Sequence, residues 1–223
     1  MAHGARKRTA QRVAAPDGGR TARRRSETRA RLVRAARELM ARKGTGATSI
    51  QEITDTADVG FGSFYNHFGS KEEIAQAVMQ DAVESFGDAA DRLAETITDP
   101  AEVLAASVRH AVRRAAADDA WGWFLVRSAL ARGGGLRRGL GKRLGRDIRI
   151  GAQARRFRLD DPPATMLAAG GAILGIIAGR LQGEIGDDAP ERAAAVVLRL
   201  LGVPSREADR IANRPLPAIA SRE

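Results

Sequence analysis

The chain has 223 residues, of which 43% are hydrophobic and only 4% aromatic, and its net charge is +10. This length is sufficient for one large or two small domains with a buried core, and the abundance of Ala and Leu favours packed helices over a sheet. Because the sequence contains no cysteine, disulfides, thiolate metal sites and cysteine nucleophiles are excluded.

The beginning of the chain is strongly basic. Residues 1–43 contain 14 Lys and Arg but only three acids, which is typical of a segment that binds a polyanion, although a solvated tail would have the same charge. Residues 1–25 contain almost no large aliphatic side chain, so we predict a disordered basic arm there. The first residues show no apolar signal peptide, which predicts a cytoplasmic protein.

The first predicted helix begins at Ser26. Apolar residues such as Leu32 and Leu39 recur at helical spacing on one face, while arginines occupy the other faces. The helix is expected to stop at Lys43, because Gly44 can adopt the positive φ that ends many helices.

Two short helices are predicted next. Ser49 followed by Glu52 forms a capping box, and after a turn at residues 58–60 the segment from Gly62 to Phe68 can form two tight helical turns. A helix-turn-helix is built in this way, with the second helix presenting side chains to DNA. The side chains expected to point outward, all able to donate to phosphates or bases, are Ser63, Tyr65, Asn66 and His67.

Helix-start signals continue to the end of the chain. Asp-Pro pairs at Asp99-Pro100 and Asp161-Pro162 place an N-cap before a first-turn proline, and Asp188 precedes a third such start. The uncharged stretch Ala164–Gly179 has 16 residues, fewer than the roughly 20 that span a bilayer. We therefore predict a buried helix here, no membrane partner, and an all-α fold.

Signatures of catalysis are missing from the sequence. It contains neither an HExxH motif nor a Cys/His cluster. The glycine-rich segment around Gly133–Lys142 fails the phosphate-loop template, because Arg143 follows Lys142 where Ser or Thr is needed. We predict that the protein is not an enzyme and has no metal or cofactor.

The sequence from about residue 26 to residue 80 resembles the N-terminal domain of the tetracycline-repressor (TetR) family. The residues that carry the resemblance are RLVRAARELMARKGTGATSIQEITDTADVGFGSFYNHFGSKEEIAQAV. It implies an N-terminal three-helix helix-turn-helix domain over 26–71 and a helical regulatory domain for ligand binding and dimerisation over 72–203. Residues 204–223 are left as a C-terminal tail.

The same resemblance implies roles for individual residues. It places a base or phosphate contact at Ser63, contacts to the DNA backbone at Tyr65 and His67, and a candidate base contact at Gln51. A partly buried structural histidine is the alternative for His67. The full set of predicted DNA-binding residues is Thr48, Ser49, Gln51, Gly62, Ser63, Tyr65, Asn66, His67 and Lys71, with Arg23, Arg24 and Arg25 reaching an adjacent minor groove from the arm.

Three positions depart from the family pattern. Asp58 stands where Gly is usual, although Asp tolerates a left-handed backbone better than most residues. Gly60 replaces a common Ser. Phe61 replaces a polar residue that reads bases, and it either packs against a thymine methyl group or turns back into the domain.

For the C-terminal domain the resemblance implies a ligand pocket and a two-fold interface. Pocket candidates are Phe86, Trp121, Trp123, Phe124 and Met166, with ordinary core packing as the alternative. Interface candidates are Leu167, Ile173, Leu174, Ile177, Val197 and Leu201, with an internal core helix as the alternative. The basic block that includes Arg132, Arg137, Arg138, Lys142, Arg143, Arg146 and Arg149 is expected mostly on a solvated face, with a few members available to an anionic ligand.

Together these features predict a sequence-specific DNA-binding transcriptional regulator. The preferred interpretation is a homodimeric repressor that a small-molecule ligand releases from a near-palindromic operator on double-stranded DNA. The alternatives are a ligand-responsive activator and a nucleoid-like protein that binds DNA without sequence preference. A preference for one DNA sequence at fixed salt separates the regulator from the nucleoid-like protein.

Overall fold

The structure is a computed structural model that describes residues 18–130 and 139–219. Within these residues it is helical with no strand, which confirms the predicted all-α class. The helices of this part are α1 (Gly18–Ala47), α2 (Ile50–Ala57), α3 (Phe61–Phe64), α4 (Lys71–Ala94), α5 (Pro100–Ala117), α6 (Asp119–Leu130), α7 (Gly139–Gln153), α8 (Pro162–Leu181), α9 (Ala189–Leu200) and α10 (Ser205–Ala212).

The chain forms two compact units, residues 1–78 and residues 79–223. The division therefore falls inside α4, after Val78, and not at residue 71 as predicted. Its position follows from packing, because Ile74 and Val78 are buried in the core of the first unit. The other large side chains of that core are Leu32, Val33, Leu39, Ile53, Phe64 and Phe68.

Helix α1 begins at Gly18, eight residues before the predicted start. The predicted arm is therefore wrong for residues 18–25, whereas residues 1–17 lie outside the described part. Local contacts stabilise the additional helical turns, since Arg23 forms an i,i+4 ion pair with Glu27 and the Thr28 hydroxyl donates to the Arg24 carbonyl. The predicted stop is confirmed, because Gly44 leaves the helical conformation with φ 81°.

The second unit is organised around α5, which packs against α6, α7, α8, α9 and α10. Its core consists mainly of aliphatic side chains and Ala, with Trp121 as its largest fully buried residue. Residues 204–223 are not simply a tail, because Ser205–Ala212 form α10 and bury Ala208 and Ile211 in this core. The sequence of α10 is rich in polar residues, so this short amphipathic helix was not predicted.

Helix α8 is apolar but largely uncovered. Its most hydrophobic 18-residue window has a mean hydropathy of 1.6, yet only 22% of that window is buried within the chain. The expectation of a buried helix is therefore wrong, and by length and composition alone α8 would be able to cross a membrane. The exposed face is formed by small residues and one leucine at helical spacing: Ala164, Leu167, Ala168, Gly171 and Gly175.

Candidate functional site

The start of α2 is fixed by the predicted capping box. The Ser49 hydroxyl oxygen accepts from the Glu52 backbone N–H at 3.2 Å, and the Glu52 carboxylate accepts from the Ser49 backbone N–H at 2.9 Å. A hydrogen bond from Lys43, together with those from Ser49, lowers the pKa of Glu52 to about 2. This carboxylate is therefore ionised at any physiological pH, and the cap persists.

The turn between α2 and α3 depends on Asp58. Its backbone is left-handed, with φ 50° and ψ 56°, so the expected tolerance of Asp for this conformation is confirmed. Arg31 of α1 donates to the Asp58 carbonyl oxygen at 2.7 Å and to its carboxylate at 3.0 Å. Helix α1 thereby fixes the angle at which α3 leaves the turn.

Helix α3 and the turn that follows it have one buried and one exposed aromatic face. Phe64 and Phe68 are buried, with ring centroids 5.7 Å apart. Tyr65 is 53% exposed and Phe61 is 46% exposed, and their rings meet edge to face at 5.8 Å. Phe61 therefore does not turn back into the domain, and one of the two predicted alternatives is eliminated.

The remaining candidates on α3 and the following turn differ in exposure. Gly62 has open space around it, since an added Cβ would meet no atom within 4 Å. Asn66 is exposed, whereas Ser63 and His67 are half-buried. Burial, followed by the charges of Arg25 and Arg29, lowers the pKa of His67.

The DNA-binding candidates near the start of α2 differ in exposure and in whether their side chains are already hydrogen-bonded. Thr48 is 1% exposed and its hydroxyl donates to the Gly44 carbonyl at 2.9 Å. The predicted phosphate contact by this side chain is contradicted, because the hydroxyl already caps the end of α1. Ser49 and Gln51 are exposed, while the Lys71 ammonium group donates to the Gly46 carbonyl at 3.2 Å.

The three predicted arginines before residue 26 are exposed on the first turns of α1. Only Arg25 is brought to the helix-turn-helix, where its guanidinium donates to the Asn66 carbonyl at 3.2 Å. Arg23 pairs with Glu27 instead. The structure thus connects the basic first helix with the end of α3 through a contact across 41 residues of sequence.

The second unit contains a cavity of about 590 Å³ between α4, α5, α6, α7 and α8. Of the five pocket candidates, Phe86 and Phe124 line this cavity, and the other three do not. Trp121 is buried in the core behind Phe86, with ring centroids 5.4 Å apart. Trp123 lies beneath the Arg127 guanidinium at 5.6 Å, and Met166 packs beside Gly145.

One wall of the cavity is an ion-pair cluster centred on Arg143. This guanidinium donates to Asp91 at 2.9 Å, to Glu84 at 2.8 Å and to Asp88 at 2.5 Å. Burial acts to lower the pKa of Arg143, but the hydrogen bonds and negative charges of its carboxylate partners outweigh burial, so the pKa is raised. The prediction of a solvated basic face is therefore wrong for Arg143.

Arg146 extends the cluster by donating to Asp91 at 2.6 Å and to Asp147 at 2.9 Å. Burial acts to raise the pKa of Asp91, but hydrogen bonds from Arg146 and Arg143 outweigh it and the pKa is lowered. Burial raises the pKa of Asp147. Three predicted members of the basic block, Arg132, Arg137 and Arg138, lie outside the described residues.

Sequence reasoning did not identify this polar wall. Glu84, Asp88 and Asp91 recur at helical spacing on α4, a pattern that reads as an ordinary solvated face. The sequence feature that could have revealed this wall is that these acids lie close in sequence to Val83, Phe86 and Ala90, which line the cavity. Charged residues that interrupt an apolar face are candidates for a polar site within a pocket.

Most predicted dimer-interface residues are in the wrong place. Leu174, Ile177, Val197 and Leu201 are buried within the chain's own core, and Ile173 lines the cavity. Apolar residues on the inner faces of α8 and α9 satisfy the same periodicity as an interface would, so sequence could not separate them. Leu167 alone among the six is exposed, at 60%.

Two segments match sequence models of known families. Residues 32–78 match bacterial regulatory proteins of the tetR family, and residues 99–214 match the tetracyclin repressor-like C-terminal domain. The second match alone covers more than half of the chain.

Curated relatives are similar over about a third of the chain. The transcriptional repressor KstR2 of Mycolicibacterium smegmatis is 33% identical over 73 residues, which are 33% of this chain and 36% of the relative. The transcriptional activator FasR of the same organism is 36% identical over 84 residues, 38% of each chain. The aligned regions thus span little more than a third of these relatives.

A solved structure is similar over most of the chain. The structure of RolR in complex with resorcinol is 41% identical, has a TM-score of 0.73, and is matched over 89% of this chain and 100% of its own. This likeness includes both units and agrees with both family matches. The chain therefore belongs to the TetR family of DNA-binding transcriptional regulators.

Proposed function

We propose that the protein is a homodimeric repressor that leaves its operator when a small, uncharged, hydroxylated aromatic molecule enters the second unit. The observation that carries this proposal is an apolar cavity walled on one side by carboxylates, in a chain that also has an exposed helix-turn-helix. Such a regulator acts on the chromosome, and we place it in the cytoplasm.

Operator recognition is assigned to the exposed side of α2, α3 and the turn that follows α3. Gln51, Tyr65 and Asn66 present an amide or a phenol to solvent, and such groups bind base edges and phosphates. Gly62 leaves room for close approach of a DNA backbone. Phe61, exposed beside Tyr65, is suited to contact a thymine methyl group.

The second copy is assigned to the exposed face of α8. Its small residues allow another helix to approach closely, and Leu167 supplies an apolar side chain that water would otherwise surround. A face this apolar and this uncovered is unusual for a monomer. Two copies related by a two-fold axis would present two recognition helices to successive major grooves of a near-palindromic site.

The chemistry of the cavity favours hydroxyl groups over anions. Its polar wall includes three carboxylates, those of Glu84, Asp91 and Asp147, against the single guanidinium of Arg143. Since that guanidinium is already bonded to three carboxylates, it has little attraction left for an anionic ligand. A phenolic hydroxyl, in contrast, can donate to a carboxylate while its ring contacts Phe86 and Phe124. RolR was solved with resorcinol, a ligand of this class.

The proposal is tested by DNA binding with and without two matched ligands. Fragments retained from genomic DNA are compared with random DNA at one salt concentration, and a specific regulator is expected to prefer its site by about 10³-fold or more. Resorcinol is expected to release the specific fragment and to raise the melting temperature by several degrees. 3-Hydroxybenzoate, in which a carboxylate replaces one hydroxyl, is expected to do neither.

Equal or stronger effects of 3-hydroxybenzoate would contradict the argument from charge. Equal affinity for random and selected DNA would favour a nucleoid-like protein. A promoter–reporter fusion distinguishes repression from activation, because repression predicts higher transcription when the ligand is added.

Gly87→Ala is expected to weaken the ligand response about tenfold, a change that corresponds to ~1.4 kcal/mol. An added Cβ at this position of α4 would lie 2.5 Å from the Arg143 guanidinium carbon. The guanidinium must therefore shift, which disturbs its hydrogen bonds to the carboxylates of the polar wall. The helix itself tolerates the change, since Ala is a better helix former than Gly.

Isothermal titration with resorcinol measures the Gly87→Ala effect. The matched control is Ser85→Ala, an exposed position of the same helix, which improves helix propensity without approaching Arg143. Unchanged resorcinol affinity in Gly87→Ala would show that the ion-pair cluster does not shape the ligand site.

A further inference from the structure

The cavity of the second unit is larger than a single-ring ligand requires. Its volume is about 590 Å³, within the range of about 300–1,000 Å³ that is typical of pockets for drug-sized ligands. Resorcinol, with one ring and two hydroxyl groups, is far smaller than such ligands. A ring bound at one position would therefore leave much of the cavity unfilled.

The cavity is elongated along α4 and α7, which pass it in opposite directions. At one end, Arg146 donates both to Asp91 of α4 and to Asp147 of α7. At the other end, an added Cβ at Gly139 of α7 would lie 2.9 Å from a carboxylate oxygen of Glu84 on α4. Gly139 and Asp147 both line the cavity and are about 12 Å apart along the axis of α7. We call the two regions the Asp147 end and the Gly139 end.

The Asp147 end is suited to a hydroxyl group. The Asp147 side chain is only 11% exposed, and its Oδ1 atom accepts from Arg146 at 2.9 Å. Within residues 18–130 and 139–219, its Oδ2 atom accepts no hydrogen bond. A largely buried carboxylate oxygen without a donor favours a ligand that supplies one, as a phenolic hydroxyl does.

The Gly139 end is suited to hydrocarbon. The polar groups of its α4 side already bond to one another, because Gln80 donates to Glu84 at 3.2 Å and Glu84 also accepts from Arg143 at 2.8 Å. They do not require a partner from a ligand. The apolar side chains that line the cavity from this end toward its middle are Val83, Phe86, Leu140 and Leu144.

The facing wall of the cavity is also apolar. The lining residues that α5, α6 and α8 contribute to it are apolar or glycine, apart from Ser107 and Ser128. The Ser128 hydroxyl already donates to the Leu125 carbonyl at 3.2 Å. A group that extends from the Asp147 end toward the Gly139 end would therefore be surrounded mainly by hydrocarbon, where burial of each methylene is favourable.

We propose, on the basis of the function proposed above, that the ligand is amphipathic: a hydroxylated aromatic ring binds at the Asp147 end, and an uncharged alkyl chain of several carbons extends from the ring to the Gly139 end. Resorcinol then corresponds to the ring of this ligand without its chain. A chain that ends in a carboxylate would meet the carboxylate of Glu84, so an acidic chain is disfavoured.

Isothermal titration with 5-alkylresorcinols tests the chain. Affinity is expected to rise about three- to fourfold with each added methylene, so 5-pentylresorcinol should bind about 100-fold more tightly than 5-methylresorcinol. It should also release operator DNA at a correspondingly lower concentration. The control is 1,3-dimethoxy-5-pentylbenzene, which has the same chain but no hydroxyl donor. It should bind about tenfold or more weakly than 5-pentylresorcinol.

Leu140→Trp tests where the chain lies. Leu140 is half-buried and lines the cavity, so a larger side chain here would occupy the space of the chain. The affinity for 5-pentylresorcinol should fall about tenfold or more, whereas that for resorcinol should change less than about twofold. Retained resorcinol binding shows in the same experiment that the variant is folded.

The matched control is Ile150→Trp. It makes a similar change on the same helix, at an exposed position that does not line the cavity, and should leave both affinities unchanged. Should Leu140→Trp fail to fold, Leu140→Ala replaces it. That variant removes contacts with the chain and should weaken 5-pentylresorcinol several-fold without affecting resorcinol.

Three results would overturn the proposal: equal affinities for 5-methylresorcinol and 5-pentylresorcinol, equal binding of the dimethoxy compound, or unchanged 5-pentylresorcinol affinity in the folded Leu140 variant. Release of the operator by resorcinol in any of these cases leaves the proposed function standing and rejects only the chain. Failure of every resorcinol to bind or to release the operator would instead reject the proposed function, and the chain with it.

Discussion

Phe64→Ala is expected to lower the free energy of unfolding by about 3–5 kcal/mol, the usual cost of removing a buried aromatic ring. Phe64 is fully buried and contacts the rings of Phe68 at 5.7 Å and Tyr65 at 5.3 Å. The first unit has a small core, so its other side chains cannot close the cavity that remains. Urea denaturation followed by circular dichroism measures the loss, and operator binding should disappear with it.

Phe61→Ala is the matched control, because it makes the same change three residues earlier on the same short helix. Phe61 is 46% exposed, so the stability should change by no more than about 0.5 kcal/mol. DNA binding should nevertheless weaken at sites that contain the contacted thymine, and much less at sites where that thymine is replaced by uracil, which lacks the methyl group. Equal destabilisation by both substitutions would contradict the described orientation of α3.

Leu167→Arg is expected to convert the proposed dimer to monomers and to reduce operator affinity about 100-fold or more. Leu167 is 60% exposed in the single chain, and in a two-fold interface through α8 the substitution would bring like charges together and bury them. A monomer binds a single half-site and therefore lacks the additional affinity that a dimer gains by binding two half-sites at once. Analytical ultracentrifugation and fluorescence anisotropy measure the two effects.

Ile150→Arg serves as the control for this substitution. Ile150 is also an exposed aliphatic residue, at 49%, but it belongs to a different helix, α7. The Ile150→Arg protein should remain dimeric and bind DNA normally. A stable dimer in Leu167→Arg would mean that a different surface joins the two copies.

Much of the local structure of the first unit could be predicted from sequence. The capping box of Ser49 and Glu52, the helix end at Gly44 and the left-handed Asp58 all depend on contacts within about five residues. Such contacts are specified by residue type and spacing, and the outward direction of Tyr65 follows from the burial of Phe64 and Phe68. The family motif added the expected roles of these positions.

Helical periodicity could not distinguish an interface with a second copy from the chain's own core, because both give the same spacing of apolar residues. Leu167 and Leu174 both recur at helical spacing on α8, yet one is exposed and the other is buried against the chain's own core. Val197 and Leu201 were assigned to the wrong surface for the same reason. The start of α1 was misplaced because a polar, arginine-rich segment gives no apolar pattern, although its i,i+4 ion pair stabilises helix.

The sequence by itself determined the helical class, the helix-turn-helix and the family, since these depend on short-range capping, spacing and a contiguous motif. Only the tertiary structure decided which side chains form the two candidate sites. Arg143 meets Glu84 across 59 residues of sequence, and Arg25 meets Asn66 across 41. Contacts at such separations depend on how helices pack, and many packings satisfy the same local periodicity.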